Sequence, residues 1–576
     1  MRSTADRRSW GRNNVLEAVI RQLGRLSPRS SIPDSTRGAE PFIDGDFEAL
    51  VAASDGLGVV VGACLAALAL ATGEPSLLLV ASAVGYGTTV LARGGIITIG
   101  NARRSRTLGT APTVVSRAVL RMRIMPTAEG AATFAAATNG RLGDRLADHV
   151  ARARGTPLSG LSAFADTWRE RFPALHRSIM LRRTLVEAAA AAPPEERDRT
   201  LDRAMDAILD GTRDRATEAA DSLRGPSTAV YAFGVLLPLA LVSVLPAAGA
   251  AGLEATLSVV VVIYDVVLPS GLLCVGGWLL AKRPVAFPPT SASSDTARWL
   301  LASGAGFATG VVAWITAGIV FAAWTPPLAA VGFGVGTALF VRYRPVVAIR
   351  KRTDELEDTL PDALYLVGRR VADGIAVERA VADAAEELGG ITGETFEAAA
   401  RRQRQLRVGV ETAFVGEHGA LESVPSQRAE SAARLLGMAA GAGPPAGRAL
   451  VETADHLDEL QRVEREARRS LGRVTSTLSN TAAFFGPLVG GATVALADSV
   501  GTTEALDGGA PETAGLGVAI GVYVLLLAII LTGISTGLQR GLDRATVGYR
   551  IGAALCTATA TYLVAVSVTS SVSGGL

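Results

Sequence analysis

One acidic side chain stands where an acid is costly. Asp265 lies inside the run Val259–Val267, which carries no other charge. An ionisable group in an apolar span needs a partner, a proton or a wet interior, so Asp265 is a candidate intramembrane functional residue. A lone carboxylate does not make a proton relay, and an intramembrane protease would need a pair of aspartates. The expected roles are structural pairing, with Tyr264 of another subunit or with a polar residue such as Asn480, or a part in movement or assembly.

Other chemistry is missing from the pattern. His149, His176, His418 and His456 are scattered without metal-ligand spacing. Cys64, Cys274 and Cys556 fall in apolar runs, with no CxxC pair and no neighbouring histidine, so they read as small buried hydrophobes. There is no GxxxxGKS or GxxxxGKT phosphate cradle and no HExxH, and the GxSxG match Gly533-Ile534-Ser535-Thr536-Gly537 lies in an apolar span, where serines have no His or Lys partner at readable spacing. The expectation is a chain with no catalytic residues, no metal and no cofactor, hence not an enzyme.

The elements that hold Asp265 are set by where the apolar residues gather. The chain has 576 residues, 49% of them apolar and 19% charged, and the apolar ones form long blocks free of Lys, Arg, Asp and Glu, such as Ala514–Leu538 and Ile551–Ser571. Blocks of that length cross a bilayer and are rare in soluble cores. A net charge of +2 lacks the basic excess of a nucleic-acid binder. Eight arginines precede the first apolar run near residue 56, too far from the start for a cleavable signal peptide, so the first span is expected to persist.

The sequence predicts an all-α polytopic membrane protein with about nine transmembrane helices, near 56–73, 76–92, 228–248, 256–280, 300–322, 324–341, 475–497, 514–537 and 551–570. The pairs 56–92 and 300–341 read as hairpins turning at Gly73-Glu74-Pro75 and Thr325-Pro326-Pro327. The sixth span is short and must tilt, re-enter or borrow Ala322, Ala323 and Trp324. One set of flanks holds Arg93, Lys282, Arg283, Arg342, Arg344, Arg540, Arg544 and Arg550; the opposite set holds Glu74, Glu254 and the acidic loop 498–513. Basic flanks stay in the cytoplasm, which places the N-terminus inside and the C-terminus outside. Trp278, Trp299 and Trp324 lie near span ends and read as belt anchors.

The organisation that follows is a cytoplasmic N-terminal segment 1–55, a hairpin 56–92, a first cytoplasmic helical domain 93–227 and two spans in 228–280. A second hairpin 300–341, a second cytoplasmic domain 342–474 and three spans in 475–576 complete it. The two cytoplasmic segments look duplicated. Met125-Pro126 and Gly140 in the first pair with Leu360-Pro361 and Gly374 in the second, at an offset of about 235 residues. Pro126 and Pro361 read as helix starts; Gly140 and Gly374 read as packing positions or turn ends. Each segment closes with a charged amphipathic helix before a span containing Pro238 or Pro487: Leu201 and Met205 mark the apolar face of the first, and Leu450, Leu457, Leu460 and Val463 that of the second. Few aromatics and many alanines predict antiparallel helical bundles.

The stretch Glu355 to Val381, with Leu360-Pro361-Asp362, an apolar helix, Gly374 and Glu378-Arg379-Ala380, resembles the opening of the type II secretion F domain. Leu223-Arg224-Gly225-Pro226 and Leu236-Leu237-Pro238-Leu239 are similar to that family's junction between domain and membrane. The resemblance covers about residues 93 to 540, and the first copy diverges at Thr127 and Ala128. It implies a platform of secretion systems, type IV pili or the archaeal swimming filament, with nine spans closest to the archaeal pilus members. The implied partners are a cytoplasmic hexameric ATPase, pilin-like subunits, the lipid bilayer and further copies of the chain as a homo-oligomer, with no nucleic acid. Arg369, Arg370 and Glu378 flank the apolar face of Leu364, Val367, Val371 and Ala372, and are the candidate ATPase-coupling surface. A multi-span secondary transporter, or a membrane scaffold unrelated to filaments, is the alternative; a transporter would show broken helices and several polar groups at mid-membrane.

Overall fold

Long runs of Ala, Leu, Val and Arg, punctuated by few glycines, give helices, and every regular element among the described residues is one. The computed structural model describes residues 47–72, 76–124, 126–138, 140–156, 164, 193–250, 257–282, 297–501, 513–541 and 543–573. Expectations placed on 1–46, the turn 73–75, Met125, His176, Glu254, Arg283 and the loop residues 502–512 lie outside them. In chain order the helices begin with α1 (Phe47–Thr72), α2 (Ser76–Ile124), α3 (Ala128–Ala136), α4 (Arg141–Ala153), α5 (Pro194–Tyr231), α6 (Leu237–Ala250), α7 (Leu257–Val261) and α8 (Leu268–Lys282). They continue with α9 (Ala297–Val320), α10 (Pro326–Ala372), α11 (Val377–Glu387), α12 (Gly390–Leu406), α13 (Val410–Val415) and α14 (Gln427–Ala442). The last four are α15 (Pro444–Asn480), α16 (Gly486–Gly501), α17 (Thr513–Arg540) and α18 (Arg544–Ser573).

Seven stretches among the described residues are long and apolar enough to cross a membrane: Phe47–Ala71, Asp221–Val242, Leu257–Leu280, Trp299–Val320, Thr475–Ala497, Ala514–Arg540 and Arg544–Val572. The segments 76–92 and 324–341 form the opening turns of α2 and α10, which run on without a break into polar sequence. Each packs on the helix before it through glycines: a Cβ on Gly85 would lie 2.9 Å from Gly62 Cα, and one on Gly306 would lie 2.6 Å from Gly334 O. Small residues are what let apolar helices approach this closely.

Three π-turns interrupt the apolar helices, at Ala232–Leu236, Val262–Val267 and Thr481–Phe485. Each ends two residues before a proline, Pro238, Pro269 or Pro487. Proline has no N–H and its ring clashes with the carbonyl one turn earlier. Widening the turn by one residue moves that carbonyl away.

Two polar bundles stand beyond the apolar helices. One uses α2 to α5 and the other α10 to α15. Leu364, Val367 and Val371 of α10, Ala380 and Ala384 of α11, Phe396 of α12 and Leu450 of α15 are buried together; Val119 and Met122 of α2, Ala131 of α3, Leu146 of α4, and Leu201 and Met205 of α5 do the same in the first bundle. The two cores merge into one apolar cluster. Of the predicted apolar face, Ala372 is exposed, although its backbone lies against Gly447.

Among the described residues the halves follow one element order, in a register that differs from the one the sequence landmarks gave. The first and third π-turns are 249 residues apart. The helix starts Ala128 and Val377, and Arg141 and Gly390, are separated by the same 249 residues. Pro361 therefore pairs with Pro112, and Glu378 with Glu129. Pro361 is not a helix start: it lies within α10. Its missing N–H leaves the Glu357 carbonyl free, and Gln461 Nε2 of α15 donates to that oxygen at 2.6 Å.

The last helix, α18, has no counterpart in the first half. It lies against α10 and α16, where Gly332, Gly336 and Gly491 leave no room for a Cβ beside Thr559, Cys556 and the Tyr562 carbonyl. Positions Ala482, Gly486 and Gly490 of this face are small and buried; their counterparts Phe233, Leu237 and Leu241 are large and exposed. Trp324 is no free anchor either. It packs edge-on against Tyr562 of α18, with ring centroids 6.4 Å apart. Trp278 and Trp299 remain exposed.

Candidate functional site

The proposed coupling residues lie at the far end of α10, where a Schellman motif ends the helix. The Gly374 N–H donates to Val371 O at 3.0 Å and the Ile375 N–H to Arg370 O at 3.0 Å. Gly374 has φ of +89° and nothing within 4 Å of a Cβ, so it is there for its backbone and not for packing. Gly140, with φ of +110°, likewise opens α4, and Pro126 precedes the N-cap Thr127 of α3. Close packing falls to a pair that the sequence did not single out. A Cβ on Gly368 would lie 2.9 Å from Val451 N, and one on Gly447 would lie 2.2 Å from Ala372 N. That crossing joins α10 to α15.

Arg369 and Glu378 are exposed and make no ion pair among the described residues. Arg370 differs. It is mostly buried and bonded to Glu387 of α11. The three predicted residues share one end of the bundle, but only two of them offer free charge.

Beneath this end a buried polar network holds the second bundle to its rod. Ser426 caps α14, accepting the Ala429 N–H at 3.1 Å, and donates its own hydroxyl to Glu357 Oε1 at 2.6 Å. Arg428 lies between Glu357 and Glu464, bonded to the latter. Burial pushes the Glu357 carboxyl above its ordinary value, and Arg428 and Ser426 offset part of that. Burial alone would lower Arg428, but Glu464 and Glu357 outweigh it.

Two buried arginines of α2 join the bundles. Arg117 donates to Ser431 Oγ of α14 at 2.7 Å and lies 4.7 Å over the Phe134 ring. Burial, reinforced by Arg434, lowers its pKa to about 10. Arg123 binds Asp202 of α5 and Glu452 of α15 at once, and His456 Nε2 lies 3.3 Å away. In the second half these positions are Leu366 and Ala372. The arginines are a property of one copy.

His456 carries a pH prediction. Burial and then Arg123 lower its pKa below the ordinary 6.5, while Asp202, Asp206 and Asp455 pull the other way. A depressed folded-state value means that stability is complete above about 6.5 and is lost as pH falls through the lowered value. Thermal melts of the purified chain should fall across that window, and His456→Gln should remove the His-dependent part of the fall. An unchanged pH profile in the variant would exclude this role.

A third polar contact ties α10 to the last helix. Arg350 Nη2 donates to Asp543 Oδ1 at 2.8 Å and Nη1 to Thr546 Oγ1 at 2.9 Å, while Asp543 Oδ2 caps α18 through the Thr546 N–H at 2.8 Å.

Asp265 sits in the second π-turn, half-buried, and its Oδ1 has no hydrogen-bond partner among the described residues. Of the expected partners within the chain, Asn480 is exposed and makes no bond to it, and the chain's own Tyr264 hydroxyl donates to Pro238 O at 3.0 Å. Tyr264 instead packs edge-on against Tyr523 of α17, with centroids 5.3 Å apart. Among the described residues no group of three or more His, Cys, Asp or Glu could hold a metal ion.

Compared with known protein families, with characterised proteins and with solved structures, the chain matches none.

Proposed function

We propose that the chain is a non-enzymatic membrane platform for assembling type IV pilus-like filaments, or for secretion by the same machinery. A hexameric cytoplasmic ATPase acts on the two bundles, and pilin-like subunits are inserted or extracted beside the spans. One observation carries this reading: each bundle is rooted in a rod that continues into an apolar helix, α5 into α6 and α15 into α16, across one widened turn. Force applied to a bundle is thus delivered to the span below it. The likeness of Leu360-Pro361-Asp362 and Glu378-Arg379-Ala380 to the type II secretion F domain supports the same role.

The topology that goes with it counts 76–92 and 324–341 as spans, which gives nine crossings of the cell membrane. Both bundles and the N-terminus are then cytoplasmic, and the C-terminus is outside. Single cysteines in a cysteine-free chain should be labelled from the cytoplasm at the exposed positions 129 and 404, and from outside at 507 and 575. Labelling of position 507 from the cytoplasm alone would overturn nine crossings.

The coupling surface is tested by Arg369→Glu with Arg370→Glu. Losing the Arg370–Glu387 pair, which is half-exposed on the Glu387 side, costs about 1 kcal/mol or less, so the bundle should stay folded. A reversed charge at a partner interface costs several kcal/mol. Expression and membrane insertion should be normal, while ATPase co-purification and filament yield collapse. Normal ATPase binding and normal filaments would remove both arginines from the coupling surface.

A further inference from the structure

The 249-residue register exposes an asymmetry between the bundles. In the first, Ser116, Arg117 and Leu120 of α2 are buried, with Arg117 reaching α14 of the second bundle. Their counterparts on α10 are Tyr365, 41% exposed, half-buried Leu366 and exposed Arg369. Ser116 meets Met205 of its own bundle and Arg117 the other bundle, whereas the matching face of α10 is open. Its rim is acidic. Asp358, Asp362 and Asp373 are exposed along that helix, and Asp362 and Asp373 make no ion pair among the described residues.

The chain carries a segment of opposite charge upstream of α1. Residues 1–30 hold seven arginines against Asp6 and Glu17. Leu16, Val19, Ile20 and Leu23 recur at helical spacing within it, with Arg12, Arg21 and Arg25 between and around them. Helix α1 is antiparallel to α2, since Gly58 lies against Thr89 and Gly62 against Gly85. The start of α1 at Phe47 therefore lies on the bundle side. Residues 31–46 can span about 50 Å when extended.

We propose that the N-terminal segment 1–30 docks on the open face of α10. Its apolar stripe covers Tyr365 and Leu366, and its arginines meet Asp358, Asp362 and Asp373. The charge pattern matches on both counts: an apolar centre with an acidic rim receives an apolar stripe with a basic rim. The docked segment lies across Arg369 and would compete with any partner that binds there. The contact itself does not depend on what that partner is.

The test uses the full chain without Cys64, Cys274 and Cys556, carrying Ile20→Cys with Tyr365→Cys, or Ile20→Cys with Arg369→Cys as a second pair. One copy is placed in each lipid nanodisc, of zwitterionic or of anionic composition, and oxidised mildly. An intramolecular disulfide is expected in both lipids, and Asp362→Arg with Asp373→Arg should cut its yield about fivefold or more. No cross-link from either pair would overturn the proposal. A cross-link insensitive to the charge reversal would also overturn it, since complementarity would not be its basis. A cross-link lost in anionic discs would give the segment to the lipid surface. In a parallel experiment with several copies per disc, a cross-link only between chains would give the face to a second copy.

Discussion

Gly447→Val is expected to leave the apolar helices inserted and to unfold the second bundle. A Cβ at this position would lie 2.2 Å from the backbone nitrogen and 2.7 Å from Cα of Ala372. Those are main-chain atoms in the middle of a helix junction, and neither can rotate aside. Overpacking a well-filled site costs about 1–3 kcal/mol or more, and contact with backbone puts this case at the upper end. Separation of α10 from α15 should follow. Proteolysis of membranes is the direct measurement: wild type should be protected between 342 and 474, and the variant cut there. Gly374→Ala, which strains only a positive φ, should be milder, at about 1 kcal/mol. Equal protection of Gly447→Val and wild type would show that the helices do not cross as closely as described.

Arg123→Glu should separate the two bundles. The guanidinium is 3% exposed and bridges Asp202 with Glu452, and its reversal sets three carboxylates together. Breaking a buried pair typically costs about 3–5 kcal/mol; because Asp202 and Glu452 are half-exposed, screening reduces this to roughly 3 kcal/mol. Each bundle keeps its own helices, so helix content should be nearly unchanged. Hydrogen exchange should rise at Gln427–Ala442 and at the start of α15, both on the second side of the joint. Adding Glu452→Arg should recover part of the protection, since it restores one pair across the joint while Asp202 still faces the introduced carboxylate within the first bundle.

Much of this architecture could be read from residue order. Charge-free runs placed the apolar helices, and arginines beside them marked the ends. Pro238, Pro269 and Pro487 are plain in the sequence, but the π-turn that absorbs each is a backbone adjustment with no side-chain signature. The duplication was visible, yet its register was off by 14 residues. That is close to four turns of an α-helix, so the slip keeps every apolar face aligned and pairs one proline with another. Only the π-turns and the helix starts at 128 and 377 and at 141 and 390 distinguish the two registers. Long-range polar contacts were the hardest to foresee. Arg117 and Arg123 look like ordinary charges of an amphipathic helix until the second bundle is placed against them. Gln461 gives no sign that a proline one hundred residues earlier has freed a carbonyl for it. Asp265, in contrast, was singled out by chemistry alone and remains without a hydrogen-bond partner for Oδ1 among the described residues.

The platform role stands or falls on filaments. The most direct measurement is electron microscopy of surface filaments in cells lacking this chain, complemented with wild type or with Gly447→Val. The account predicts no filaments in the deletion, recovery with wild type and none with the variant, although the variant is inserted. Normal filaments in the deletion strain, together with lost uptake of a solute, would contradict it and favour a transporter.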